Sequence, residues 1–132
     1  MAAHSWFDEG IAAYYGGSSG FTLEWHLDKL KSFLAKEPDY DLSDLSALQI
    51  DIPNGEYMTD FRYAIGGLIC QLILEKHGQE GIWEALQSGT TEDDYFTFLK
   101  QKLNVDREDF GEFVKSTVAE LPDLNADNIY VL

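Results

Sequence analysis

Cysteine and basic residues are scarce in this sequence of 132 residues. The single cysteine, Cys70, excludes an intrachain disulfide. Nine lysines and arginines stand against 24 aspartates and glutamates, which gives a net charge of −15. Because basic patches supply most of the affinity for a phosphate backbone, so acidic a chain is not expected to bind nucleic acid. An anionic membrane surface would repel it for the same reason.

Long apolar runs are also missing. The best candidate, residues 64–74, contains Gln71 and falls short of the roughly 20 residues that a transmembrane helix needs. Residues 1–6 have neither the basic nor the apolar region of a signal peptide, so no leader is predicted and no compartment is assigned. Hydrophobic residues make up 45% of the chain, which is enough for a core. The length predicts one domain over residues 1–132.

The spacing of the apolar residues is helical and predicts an all-α domain of about six helices. Helix starts are expected at Ser5, with Asp8 in the capping-box position, then at Thr22, at Thr59 or Asp60, after Gly78, at Thr91 and at Asp106. Breaks are expected at the glycine-rich run 16–20, before Pro38, at Gly78 and at Pro122.

Residues 39–56 interrupt this pattern and predict a long acidic loop. It contains the turn signal Pro53-Asn54-Gly55 and has room for one helical turn around Leu45 and Leu48. Loops of this length inside a small domain are often functional. The acids lack the glycine and glutamate of an EF-hand, so a solvated loop is the preferred interpretation and a cation-binding loop is the alternative. Residues 129–132 fit a short strand or a docking tail.

Glu9 is the acid with the most unusual surroundings. On a helix it lies nearly opposite Phe7 and Ile11. Its own side carries small and aromatic residues, namely Trp6, Ala12 and Ala13. A buried carboxylate needs a partner, a proton or a metal. The simpler interpretation is an acid in the first helical turn, where negative charge is favourable. Spacing favours the simpler interpretation and leaves both open.

Five other residues have structural interpretations. His26 is expected to be partly exposed on the flank of the second helix, and His77 lies beside a helix end, where a charged imidazole suits the dipole. Cys70 is expected to be a small core hydrophobe. Trp25 and Trp83 are expected in the core or in an interface.

The run Trp6-Phe7-Asp8-Glu9-Gly10-Ile11-Ala12-Ala13-Tyr14-Tyr15 resembles the Trp-X-X-Glu-Gly-X-Ala-X-Tyr segment of gluzincin metallopeptidases, which include the aminopeptidase-N type and bacterial peptidase-MA-like domains. In those families this glutamate is the third zinc ligand. The resemblance therefore implies that Glu9 is a metal ligand. It extends over nearly the whole chain and implies the C-terminal helical half of such a peptidase.

A second segment, Tyr63-Ala64-Ile65-Gly66-Gly67-Leu68-Ile69, resembles the family's tyrosine segment at the start of a buried helix. In the aminopeptidases that tyrosine donates a hydrogen bond to the oxyanion of the tetrahedral intermediate. The resemblance therefore implies that Tyr63 is a catalytic residue, as suits a phenol donor. The alternative is an ordinary core tyrosine.

The family's His-Glu-X-X-His helix is missing from this sequence. In the family it precedes the glutamate segment and provides two zinc ligands and the general base. Only eight residues precede Glu9, with His4 as their one histidine. A catalytic zinc usually needs three protein ligands, so this chain alone is expected to bind none and to be inactive.

These observations predict a fragment or truncated homologue of a zinc-dependent metallopeptidase, whose parent family hydrolyses peptide substrates. The alternative is a stand-alone helical interaction module without catalytic activity. Its exposed face would pair with a second copy or with a protein partner.

Overall fold

Five α-helices and one β-hairpin make up the computed structural model, which describes residues 3–17, 22–42, 51–54 and 57–122, with the backbone alone in the two strands. The predicted all-α class is confirmed. The helices are α1 (Ser5–Gly16), α2 (Leu23–Lys36), α3 (Phe61–Ala85), α4 (Glu92–Leu103) and α5 (Phe110–Glu120). The strands are β1 (Asp51–Asn54) and β2 (Tyr57–Asp60), and the 3₁₀ turn Arg107–Asp109 leads into α5. Within this described part, no helix is long and apolar enough to cross a membrane.

The central element is α3, because α1, α2 and α4 all pack against it. Its apolar residues fill more than one face, as the sequence predicts, and Ala64, Ile65, Leu68 and Ile69 are all inaccessible to solvent. Gly78 interrupts the helix with a φ of 69° and a ψ of −165°. The predicted third and fourth helices are thus the two segments of α3 on either side of Gly78.

The helix starts agree with the sequence at two caps and differ at one. The Thr22 hydroxyl accepts from the backbone N–H of Trp25 at 3.2 Å, and Thr91 forms a full capping box with Asp94. The prediction that Ser5 caps α1 is wrong. His4 is the N-cap, and its Nδ1 accepts from the backbone N–H of Trp6 at 3.2 Å.

The predicted loop at 39–56 is wrong over residues 51–54, which form β1. This strand pairs antiparallel with β2, in a register that joins Asp51 to Asp60 and Asn54 to Tyr57. β2 extends to Asp60, and α3 begins directly after it at Phe61, which agrees with the expected start at Asp60 and not with Thr59. The hairpin strands are four residues long, too short for alternation to be recognised. Leu45 and Leu48, as well as residues 129–132, lie outside the described residues.

Of the residues whose burial was predicted from the sequence, some lie where expected and others do not. Cys70 is buried in α3, as predicted, and burial raises the pKa of its thiol to about 11. Trp25 is buried in the core. Trp83 is 61% exposed, so it is not a core residue. The expectation for His26 is wrong, because its side chain is buried.

Candidate functional site

The two segments that carry the gluzincin resemblance lie against each other where α1 crosses α3. A Cβ on Gly10 would overlap the backbone carbonyl of Gly66. A Cβ on Gly66 would lie 2.7 Å from the carbonyl oxygen of Trp6 and 3.1 Å from the Cα of Gly10. The helix backbones therefore touch directly, which only a pair of glycines permits.

Glu9 directly precedes this crossing on α1 and is half-buried. Of the neighbours expected on its side of the helix, Trp6 and Ala13 are buried and Ala12 is exposed. The Glu9 carboxylate makes no hydrogen bond or ion pair with any residue in the described part of the chain. Partial contact with water lets the carboxylate stay without a partner, so it remains available to a ligand.

Tyr63 lies in the first turn of α3, one helical turn before Gly66, and is also half-buried. Its ring packs edge-on against the imidazole of His26, with 5.8 Å between the ring centroids and 63° between their planes. The guanidinium of Arg62 lies 5.7 Å from the centroid of the same ring. Tyr63 is therefore a half-buried tyrosine whose ring contacts a buried histidine and lies near a cation.

His26 is the residue of this site that the sequence interpretation missed. It is only 2% exposed on α2 and contacts the rings of Trp25 and Tyr63. A signal was present, because His26 is three residues after Leu23 and four before Leu30. Those spacings put it beside the apolar stripe of α2. The polarity of histidine instead favours the flank of the helix, so the sequence alone predicts partial exposure.

The described residues do not provide a complete metal site. Within the described ranges, no group of three or more histidine, cysteine, aspartate or glutamate side chains could hold a metal ion. A catalytic zinc usually takes three protein ligands, and Glu9 supplies one carboxylate. The side chains that the structure describes do not fit a zinc ion without ligands from elsewhere.

A second buried titratable group, His4, lies at the start of α1. His4 is 7% exposed, and its ring lies 5.2 Å from the ring of Tyr95, centroid to centroid. Burial lowers the pKa of His4, against the smaller opposing effects of Glu92 and Asp8. Only an imidazole with an unprotonated Nδ1 can accept from the Trp6 backbone N–H. The folded protein therefore favours neutral His4.

Stability is expected to fall on mild acidification because of His4. Its pKa in the folded state lies below the ordinary 6.5, so its contribution is complete above that value and is lost as the pH falls through the folded-state pKa. Protonation would break the cap, at a cost of about 1 kcal/mol. Urea unfolding at a series of pH values measures this effect.

The matched variant is His4→Asn, since asparagine caps helices well and does not titrate. Its profile should be flatter than that of the unsubstituted protein across this range. Parallel profiles would contradict the assignment to His4.

Comparisons of this chain with models of protein families, with curated protein sequences and with solved structures find no match.

Proposed function

We propose that this chain is the C-terminal helical part of a gluzincin-type zinc peptidase, in which Glu9 is a metal ligand and Tyr63 binds the oxyanion. In this proposal the chain alone has no catalytic activity. Its main support is the direct backbone contact between Gly10 and Gly66. Glu9 is the residue before one glycine and Tyr63 is one turn before the other, so the two candidate residues flank one crossing.

The electrostatics around the two residues are compatible with these roles. Glu9 is a half-buried acid without a protein partner among the described residues, so its oxygens remain available as ligand atoms. The ring of Tyr63 packs against His26 and lies near the guanidinium of Arg62, and these neighbours support a role for its hydroxyl as a hydrogen-bond donor. No hydrolytic step is assigned to this chain, because the described residues do not complete a zinc site.

The test is to extend the open reading frame upstream of Met1 and to purify the longer protein. We expect it to contain His-Glu-X-X-His, to bind zinc stoichiometrically by elemental analysis and to cleave peptide substrates. Glu9→Gln should lose both zinc and activity. Tyr63→Phe should keep zinc and lower kcat by about 10²-fold or more, as expected for loss of an oxyanion donor.

Suitable controls are Glu80→Gln and Tyr15→Phe, because both side chains are exposed. They should retain zinc content and kcat. An upstream frame without His-Glu-X-X-His, or a longer protein that contains this motif but no zinc, would contradict the proposal. Unchanged zinc content in Glu9→Gln would contradict the role of Glu9 alone.

A stand-alone interaction module is the second candidate. Two exposed aromatic side chains favour it, because Tyr15 is 59% and Trp83 is 61% exposed. Tryptophan and tyrosine are enriched in protein interfaces. Sedimentation of the 132-residue chain distinguishes the candidates, since a strict monomer that binds no hydrophobic dye would count against the module.

A further inference from the structure

We infer that the cavity between α2 and α5 binds a straight-chain aliphatic carboxylate. The cavity has a volume of about 320 Å³, and Lys31 and Lys115 are its charged residues among those described. The other described side chains that line the cavity are apolar, namely those of Leu34, Ala35, Pro38, Val118 and Ala119. A volume near 300 Å³ is at the lower end for ligand sites, which suits one acyl chain. This inference does not depend on the proposed peptidase relationship.

The charge of this cavity is opposite to that of the whole chain. The sequence has nine basic residues and a net charge of −15, yet two of the nine line this cavity. None of the described lining residues is acidic. The cavity is therefore a local positive site in a negative field. A highly charged anion would be repelled by the rest of the surface, whereas a single carboxylate meets less repulsion.

Lys31 is held in place at the edge of the cavity. Its Nζ donates to the backbone carbonyl of Leu121, which follows α5, at 2.8 Å. An ammonium has three hydrogens, so two remain for a ligand. The link from α2 to the end of α5 keeps this charge beside the apolar lining without neutralising it.

Lys115 is also poorly solvated, with 19% of its side chain exposed. The nearest carboxylate oxygen of Glu112 is 3.9 Å from the Lys115 Nζ, and the Glu112 side chain is 83% exposed. An ion pair this long and this exposed contributes little to stability. Poor solvation strengthens the attraction of an ammonium for an anion. The two helices that line the cavity thus each provide one ammonium group for a carboxylate.

The apolar lining defines the rest of the ligand. Leu34 and Val118 are buried, so their surfaces form the floor of the cavity. No side-chain amide or hydroxyl is among the described lining residues, so sugars and peptide groups would leave their polar atoms unpaired. A hydrocarbon chain gains free energy by burial there and needs no hydrogen bonds. A carboxylate on an alkyl chain satisfies both parts of the site.

Calorimetric titration of the 132-residue chain with decanoate tests this inference. We expect saturable binding of decanoate, kept well below its micelle concentration. Lys31→Gln and Lys115→Gln should each weaken binding by about tenfold, as expected for one charge-assisted hydrogen bond. Decanol, which has the same chain without the charge, should bind more weakly than decanoate. Ala119→Leu fills the cavity from an exposed position and should also weaken binding.

Lys76→Gln is the matched control, because Lys76 is exposed on α3 and does not line the cavity. It should bind decanoate like the unsubstituted chain, and circular dichroism should confirm the fold of every variant. Absence of decanoate binding would overturn the inference. Equal binding of decanoate and decanol, or an unchanged affinity in the Lys31→Gln/Lys115→Gln double variant, would overturn the role of the two lysines.

Discussion

Replacement of Gly66 by alanine is expected to lower the free energy of unfolding by about 3 kcal/mol or more, as for severe overpacking in a core. The added methyl would lie 2.7 Å from the carbonyl oxygen of Trp6 and 3.1 Å from the Cα of Gly10. Both are backbone atoms of a packed helix, so neither can yield by a change of rotamer. The helices must separate or tilt, and equilibrium unfolding in urea measures the loss.

Gly16→Ala is the matched control on α1. A methyl there would have no atom within 4 Å, and alanine is the better helix former by up to about 1 kcal/mol. Stability should therefore be unchanged or slightly higher. Gly10→Ala should behave like Gly66→Ala, because its added methyl would overlap the backbone carbonyl of Gly66 at the same crossing. Unchanged stability in both crossing variants would show that the two backbones do not touch.

The second large effect is expected for Phe110→Ala, at about 3–5 kcal/mol of lost stability. Phe110 is inaccessible to solvent at the start of α5. Its ring lies edge-on to Phe96 at 5.3 Å and to Tyr95 at 6.3 Å, so it joins α5 to α4 through aromatic contacts. Removal leaves a cavity that two rigid rings cannot fill. Thermal and urea unfolding of the purified variant measure the effect.

Phe113→Ala provides the comparison within the same helix, since Phe113 is only half-buried. It deletes the same atoms and changes helix propensity equally, yet it should be the milder substitution because less apolar surface leaves the core. Equal losses for the two variants would mean that α5 is not anchored through Phe110.

Because the candidate site lies at the helix crossing, effects on stability must be distinguished from effects on zinc binding and turnover. Glu9 and Gly10 are neighbours, as are the turns that contain Tyr63 and Gly66. Gly66→Ala should disturb stability and the site together. Glu9→Gln and Tyr63→Phe are nearly isosteric and should leave the fold intact, so any loss of zinc or turnover in the longer protein would report on chemistry.

Local features of the structure could be predicted from the sequence because they depend on residues close together in the chain. Thr22 and Thr91 cap helices through hydrogen bonds that reach only three residues ahead. Gly78 interrupts α3 because its backbone adopts a positive φ. The His4 cap was missed because serine is the commoner cap and stands next in the sequence.

The sequence by itself determined the helical class, the order of the helices and most of their ends, since helix periodicity and capping act over a few residues. Tertiary structure decided which surfaces meet. The contact between Gly10 and Gly66, the burial of His26 beside Tyr63, and the cavity that Lys31 and Lys115 both line each involve different helices. Such contacts depend on how helices pack, and residue spacing along a single helix carries no local signal for that packing.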